Sequence, residues 1–459
     1  MENTIRKNQE IDMLHGSLWN KLLLFALPLA ASSVLQQLFN SVDVAVVGQF
    51  DSNSAVAAVG SNTAVISLII NLFVGLSGGA NVVIANYIGR NETRKVENTV
   101  HGIFVLALIS GIITTFLGLA VSKPVLKLMK TPADVLEQAV LYLRIYCAGL
   151  PFIIIYNFGA AILRSIGDTK RPLYCLVLSG IINTVFNLIF VICFGMGVAG
   201  VAVATVISNI VSAVIVVRLL VKEKSVIRLS FKNLKITSAE IRQVMKIGIP
   251  AGLQGMVFSV ANIFIQSAVN GFGTDAVAGS TAALNYENFT YYLVSAFSLA
   301  ASTFIGQNMG AGQTERCRKI FRWCMFYAVI FSGVLSAVFV LFRTFFIKLY
   351  TPDVNAGYYA GLRMVHVLSM IAFTASYEVS GGALRGMNHS LSPALLTIIG
   401  SCGIRILWIY TVCVKYNTFE TLMDIYPISW VVTGIAVVVT YMIYSKKELG
   451  KFSLQVNNG

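Results

Sequence analysis

The sequence predicts an all-α polytopic membrane protein, with twelve transmembrane helices in two six-helix bundles related by an internal repeat. Three observations predict it. The 459 residues are 56% hydrophobic and only 12% charged, too little polar material to wet the surface of a soluble globule. Apolar runs long enough to cross a bilayer recur about twelve times. The second half of the chain also repeats the first, as transporter halves often do.

The spans fall at approximately 19–48, 55–88, 100–122, 138–163, 172–195, 198–221, 243–270, 277–308, 320–345, 358–384, 392–414 and 421–444. Each supplies the roughly twenty residues that a helix needs to cross hydrocarbon. Several are longer, which implies tilt or protrusion. The first follows a polar segment carrying Arg6, Lys7 and Asp12. It is too long for a signal-peptide core and lacks a cleavage pattern, so it is expected to stay in the mature protein.

Shifted by about 221 residues, the two halves align. FALPLAASSVLQQLFNSVD answers KIGIPAGLQGMVFSVANIF, pairing Pro28 with Pro250 and Asn40 with Asn262. ANYIGRNETRK answers GQNMGAGQTER, and YNFGAAILRSIGDTKRP answers YEVSGGALRGMNHSLSP, pairing Arg164 with Arg385 and Pro172 with Pro393. Six spans per half is an even number, so both halves enter from the same side, as parallel repeats do. The expected division is an N-terminal bundle over 1–221, a basic linker over 222–241 and a C-terminal bundle over 242–459.

The net charge of +14 does not mark a nucleic-acid partner, because the basic residues form no stripe with interleaved aromatics. They fall between spans. Arg90, Arg94, Lys95, Lys170, Arg171, Lys222, Lys224, Arg228, Lys232 and Lys235 sit on one side, against Lys123, Lys127, Lys130 and Lys348 on the other. Positive-inside bias then puts both termini and the linker in the cytoplasm, the linker near anionic headgroups.

Seven cysteines are scattered without CxxC or a pairing, and four histidines stand in no ligand spacing, so they read as apolar fillers and isolated polar groups. No metal site and no cofactor are expected. Walker A, nucleophile-elbow and dinucleotide fingerprints are absent, which argues against an enzyme.

The carboxylate of Asp43, inside the first span, is the strongest functional signal, since a buried charge in hydrocarbon is costly and seldom kept without a task. Gln36, Asn40 and Asp43 stand at i, i+4 and i+7, on one helical face. At 1.5 Å per residue, Asp43 lies about 8 Å from the outer end of its helix, which places the site in the outer half. Asn183 and Asn187 repeat at i, i+4 in the fifth span, and Thr205 interrupts the sixth. Packing glue between helices is the competing reading for these amides. In the second half, Glu287 lies near mid-membrane, and Glu378 stands two turns before Arg385 at the repeat position of Asn157. Both acids are candidates for cavity lining or coupling, against local pairing with Arg or Tyr groups.

The segments MLHGSLWNKLLLFALPLAASSVLQQLFNSVDVAVVGQF, GAAILRSIGDTKRP and STFIGQNMGAG closely resemble hallmark segments of the MATE (multidrug and toxic compound extrusion) family of secondary transporters. The resemblance covers residues of about 11 to 446. It implies a V-shaped MATE-like fold and antiport of organic cations or related compounds against H+ or Na+. Asp43 matches the first-helix acid that the family's prokaryotic members use for coupling. Asn157, Asn183, Asn187 and Thr205 resemble positions lining the N-terminal pocket, with Asn187 standing where many members carry a second acid. The family's other branch uses acids in the seventh and tenth helices. Here Phe258 stands at or near the first of these, and Glu378 about one turn from the second.

The sequence therefore points to a cation-coupled exporter of drugs or toxic metabolites, with Asp43 as the H+ site, or a Na+ site. Gln36, Asn40, Asn157, Asn183, Asn187, Thr205, Glu287 and Glu378 form the expected pocket. The expected substrate is a small cationic amphipathic molecule, the expected setting a bacterial or archaeal inner membrane with lipid around a monomer. A flippase for lipid-linked precursors or polysaccharides is the alternative. It would want a cavity rich in Arg and Lys, and away from their end turns the spans offer only Arg144, Arg363 and Arg405. A channel or intramembrane enzyme fits the duplicated two-bundle pattern least.

Overall fold

The computed structural model describes residues 11–129 and 131–457; Arg6, Lys7, Lys130 and the chain ends, whose side the charge bias assigns, lie outside the described residues. Twelve helices among them are long and apolar enough to cross a membrane, from Leu18–Phe50 to Phe419–Glu448, with lengths of 24 to 37 residues. Ten of them contain the expected span whole, whereas the fifth and ninth end at Cys193 and Leu341, short of the expected 195 and 345. The longest reaches about 55 Å along its axis, well beyond the hydrocarbon thickness. Large apolar side chains such as Ile112, Ile113, Phe116, Leu117, Leu407 and Val414 are exposed, the surface expected where lipid is the solvent.

Four spans are interrupted, the twelfth only by one turn residue, Asp424, between Phe419–Met423 and Ile425–Asn457. The fifth ends in a π-helical turn, Ile189–Cys193. The tenth runs Val354–His366, tightens into a 3-10 segment over Leu368–Phe373 and resumes as Thr374–Gly386. The eleventh contains a second π turn, Ile398–Gly403, before Ile404–Lys415. A short helix, Arg343–Tyr350, follows the ninth span, where the sequence reading carried that span to residue 345. Such irregular turns inside helices often mark sites.

The duplication is written into the backbone. Asn91 and Gly312 both adopt left-handed φ, 59° and 72°. The residues that follow have nearly the same dihedrals, Glu92 at φ −85°, ψ 64° and Gln313 at φ −84°, ψ 68°. Gly167 and Asn388 form a second matched pair at φ 88° and 66°. Behind them, the amides of Asp168 and His389 donate to the carbonyls of Leu163 and Leu384. Equal turns at equal spacing are what two copies of one bundle produce.

The chain divides into two compact units, one holding residue 11 and residues 31–245, the other residues 12–30 and 246 onward. In the first, the fourth span is the most buried and packs against the second, third and sixth. Close approach is the reason for glycine there: a Cβ on Gly149 or Gly159 would meet Val206 or Val216 of the sixth span at 2.8 and 2.9 Å. In the second unit the tenth span holds the same central place, against the eighth and twelfth.

Residues 12–30, which the sequence division assigns to the N-terminal bundle, pack in the second unit. Arg316 donates to the carbonyls of Met13, His15 and Gly16 at 2.9–3.1 Å. Asn308 also donates to Met13 at 3.1 Å, and Phe25 meets Phe304 edge-on at 5.3 Å. Conversely, the connection after the sixth span is strapped to the first unit. Its Ser230 amide donates to His101 Nε2 at 3.0 Å, Phe231 packs on Phe104, and Ile227 and Leu229 are buried.

Candidate functional site

Asp43 is buried in the first unit, 7% exposed, on the last third of the first span. Two other spans supply its partners. Asn187 Nδ2 donates to Asp43 Oδ1 at 2.5 Å, and Thr205 Oγ1 lies 3.3 Å from Oδ2. The same threonine hydroxyl is 2.9 Å from its own helix carbonyl, Val201, so its single proton serves one acceptor at a time. Asn183 joins from one turn away: its Nδ2 donates to Thr205 Oγ1 at 3.3 Å, and its Oδ1 accepts from Asn187 at 3.2 Å.

These contacts follow from local sequence. The i, i+4 spacing puts both amides on one face of the fifth span, and Asn187 is the last residue but one before the π turn at Ile189–Cys193. Two features then stand out chemically. Among the described residues, no Lys, Arg or His lies within 4.0 Å of Asp43, so the protein supplies only neutral dipoles to a buried carboxylate. Asn187 Oδ1 is buried and has no partner, an unusual state for a buried acceptor.

The remaining expected pocket residues divide clearly. Gln36 and Asn40 share the helix with Asp43 but are exposed and donate nothing to its carboxylate. Asn157 is half-buried and turns back to its own helix, its Nδ2 donating to the Ile153 carbonyl at 2.9 Å. Tyr142 and Tyr146, stacked at 6.2 Å, lie within electrostatic reach of Asp43. The sequence reading passed over both, since aromatic residues in a span look like filler.

In the second unit the two acids are held by arginines. Glu287 and Arg363 form a buried two-pronged ion pair at 2.6 and 2.9 Å, and Arg363 reaches Ser280 Oγ at 2.6 Å and the Tyr426 hydroxyl at 3.3 Å. Glu378 accepts from the Tyr291 hydroxyl at 2.8 Å and lies 4.0 Å from Arg385. Local pairing with Arg and Tyr is therefore what surrounds both acids. No cluster of three or more His, Cys, Asp or Glu side chains suited to a metal ion occurs among the described residues.

The MatE family matches the chain twice, over residues 28–189 and again over 250–411. The chain belongs to the MatE family. The double match coincides with the duplication seen in sequence and backbone. The probable multidrug resistance protein YoeA of Bacillus subtilis is 26% identical over 398 residues, covering 85% of this chain and 86% of that protein. The probable multidrug resistance protein NorM of Thermotoga maritima is 27% identical over 403 residues, 86% of each. Among solved structures, a MATE protein crystallised in complex with MaD3S superposes with a TM-score of 0.89 at 22% identity, over 96% of this chain and 99% of that one. This MatE protein is a multi-pass membrane transporter with the MATE fold and not an enzyme.

Proposed function

We propose that this transporter exports small organic cations from the cytoplasm in exchange for an inward-moving cation, with Asp43 as the exchange site. It would work in the inner membrane of a prokaryote with its termini and linker cytoplasmic, the orientation that the charge bias of its connections supports. One observation carries the reading: a carboxylate buried between three spans and met only by amides and a hydroxyl. Such a group gains a counter-charge by binding a proton, Na+ or a cationic solute, and occupancy by one excludes the others. Exclusion of that kind links opposed fluxes. A membrane potential contributes about 2.3 kcal/mol per charge per 100 mV to the inward limb.

The proton is favoured as the coupling ion. Na+ gathers several oxygen ligands, and with Asn187 in place of a second acid the site has one carboxylate. Protonation of Asp43 turns an acceptor into a donor, and rotation of the Asn187 amide would then present its unpartnered Oδ1 to that new hydroxyl. The test is efflux from proteoliposomes with pH and Na+ gradients imposed separately. A proton gradient alone should drive efflux in Na+-free medium, with Glu378→Gln less impaired than Asp43→Asn. Strict dependence on Na+ at fixed pH, or a larger defect from Glu378→Gln, would show that the ion or the unit is wrongly assigned.

A further inference from the structure

The second unit holds two buried guanidinium groups, Arg363 and Arg405, and a half-buried one, Arg385, near two carboxylates. Glu287 neutralises Arg363, and Glu378 faces Arg385. Arg405 is left over. It is only 3% exposed, and among the described residues no carboxylate lies within 4.0 Å of it. Its Nε donates to Ser429 Oγ at 3.1 Å. The rest of the guanidinium meets aromatic faces, the Tyr426 ring at 4.6 Å and the Phe258 ring at 5.9 Å. Aromatic faces attract a cation but leave its in-plane N–H donors unused, and a charge inside a membrane protein is costly unless paired or functional.

The local backbone builds this arrangement. A π turn, Ile398–Gly403, ends two residues before Arg405, and within it a Cβ on Gly400 would meet Thr433 Oγ1 at 2.5 Å. The eleventh and twelfth spans therefore approach closely one turn below the arginine, setting Tyr426 and Ser429 beside it. Arg363 also lies over the Tyr426 ring, at 5.3 Å, so one phenol stands between two guanidinium groups.

The internal repeat sharpens the contrast. At the 221-residue shift that pairs Pro172 with Pro393, Arg405 answers Thr184, Tyr426 answers Thr205 and Ser429 answers Ser208. At the first-span shift that pairs Asn40 with Asn262, Asp43 answers Ile265. One unit thus has a carboxylate met by neutral donors. The other has an apolar residue in its place and a guanidinium with donors to spare.

We propose that Arg405, with Ser429 and the faces of Tyr426 and Phe258, forms an anion subsite for a carboxylate or phosphate group of the transported molecule. The proposal rests on the exporter reading only for the source of that anion. An oxyanion would accept in-plane N–H donors of Arg405, as guanidinium–carboxylate pairs do, while an apolar or aromatic body packs on Phe258. The preferred solutes would then carry an acidic group.

Equilibrium binding tests this independently of transport. The probes are tetraphenylphosphonium and its carboxyphenyl derivative, which differ by one carboxylate, added to the purified full chain and read by tryptophan quenching. Trp408 lies one turn beyond Arg405, and Trp430 packs on Tyr426 at 5.7 Å. The wild-type protein should bind the carboxylated probe about tenfold more tightly than its parent. Arg405→Gln should abolish that ratio, and Arg405→Lys should restore part of it. An equal ratio in Arg405→Gln, or none in the wild type, would overturn the proposal. Should Arg405→Gln fail to fold, benzoate competition on the wild type decides: it should displace the carboxylated probe and spare the parent, and equal displacement of both refutes the subsite. A wild-type ratio lost in phosphatidylglycerol nanodiscs would give the site to a lipid phosphate and overturn the solute assignment. Failure of the exporter reading would appear only in gradient-driven efflux.

Discussion

Glu287→Leu should destabilise the protein substantially, because it leaves Arg363 buried without its counter-charge. The pair has two short charged hydrogen bonds, 2.6 and 2.9 Å, with side chains 3% and 7% exposed. The remaining partners of Arg363, Ser280 and the Tyr426 hydroxyl, supply dipoles but no charge. Removing one member of a buried pair typically costs about 3–5 kcal/mol. Two guanidinium groups would then share the Tyr426 ring with no acid between them, which favours the upper end. For a unit of this size that corresponds to a loss on the order of 10 °C in Tm. The assay is thermal unfolding of the purified chain in detergent, with Arg363→Met and the double variant completing the cycle. The double variant should regain most of the loss, since apolar replacement of a whole buried pair is close to neutral. A Glu287→Leu protein as stable as wild type but unable to transport would refute the structural role and return Glu287 to the coupling path.

Three further outcomes follow from the same geometry. Gly382→Ala should destabilise by about 1–3 kcal/mol, measured by the same melt, because its Cβ would collide with the backbone carbonyl of Ser298 on the eighth span. In a chain stripped of its native cysteines, Lys232→Cys should resist an impermeant thiol reagent in intact cells; ready labelling from outside would reverse the orientation. A spin label on that cysteine should also report the strap's pH dependence. Burial pushes the Glu223 carboxyl up, but hydrogen bonds from Arg171 and the backbone outweigh it and hold it below the ordinary 4.5. The folded strap therefore binds fewer protons than the unfolded one, and its stability is complete at neutral pH and falls only as pH drops below about 4.5. Glu223→Gln should make the label mobile at neutral pH.

Much of this was legible in the sequence because the signals were local or periodic. Twelve spans, the duplication and Asp43 need only hydropathy, self-comparison and the cost of a charge in hydrocarbon. Asn183 and Asn187 emerged because one helical turn separates them. Helical phase does not report depth, which is why Gln36 and Asn40 share a face with Asp43 yet lie exposed. The pairing of Glu287 with Arg363 joins residues 76 apart in sequence, and no periodicity reveals it. Breaks in the tenth span and the π turns were equally hidden, since the 3-10 segment and the first π turn are largely apolar and the glycines of the second, Gly400 and Gly403, are matched by glycines such as Gly60 and Gly78 inside an unbroken span. Arg405 was visible as a charge in a span; only the structure shows that its neighbours leave it without an acid.

The central claim is that Asp43 is the exchange site, and one comparison tests it most directly. Wild-type and Asp43→Asn proteins, reconstituted in equal amounts into Na+-free proteoliposomes, are given an inward proton gradient, and tetraphenylphosphonium efflux is followed. Asparagine keeps the size and the hydrogen-bonding partners while removing the titratable charge. The wild type should drive efflux and Asp43→Asn should show none above protein-free vesicles. Gradient-driven efflux by Asp43→Asn at the wild-type rate would contradict the account.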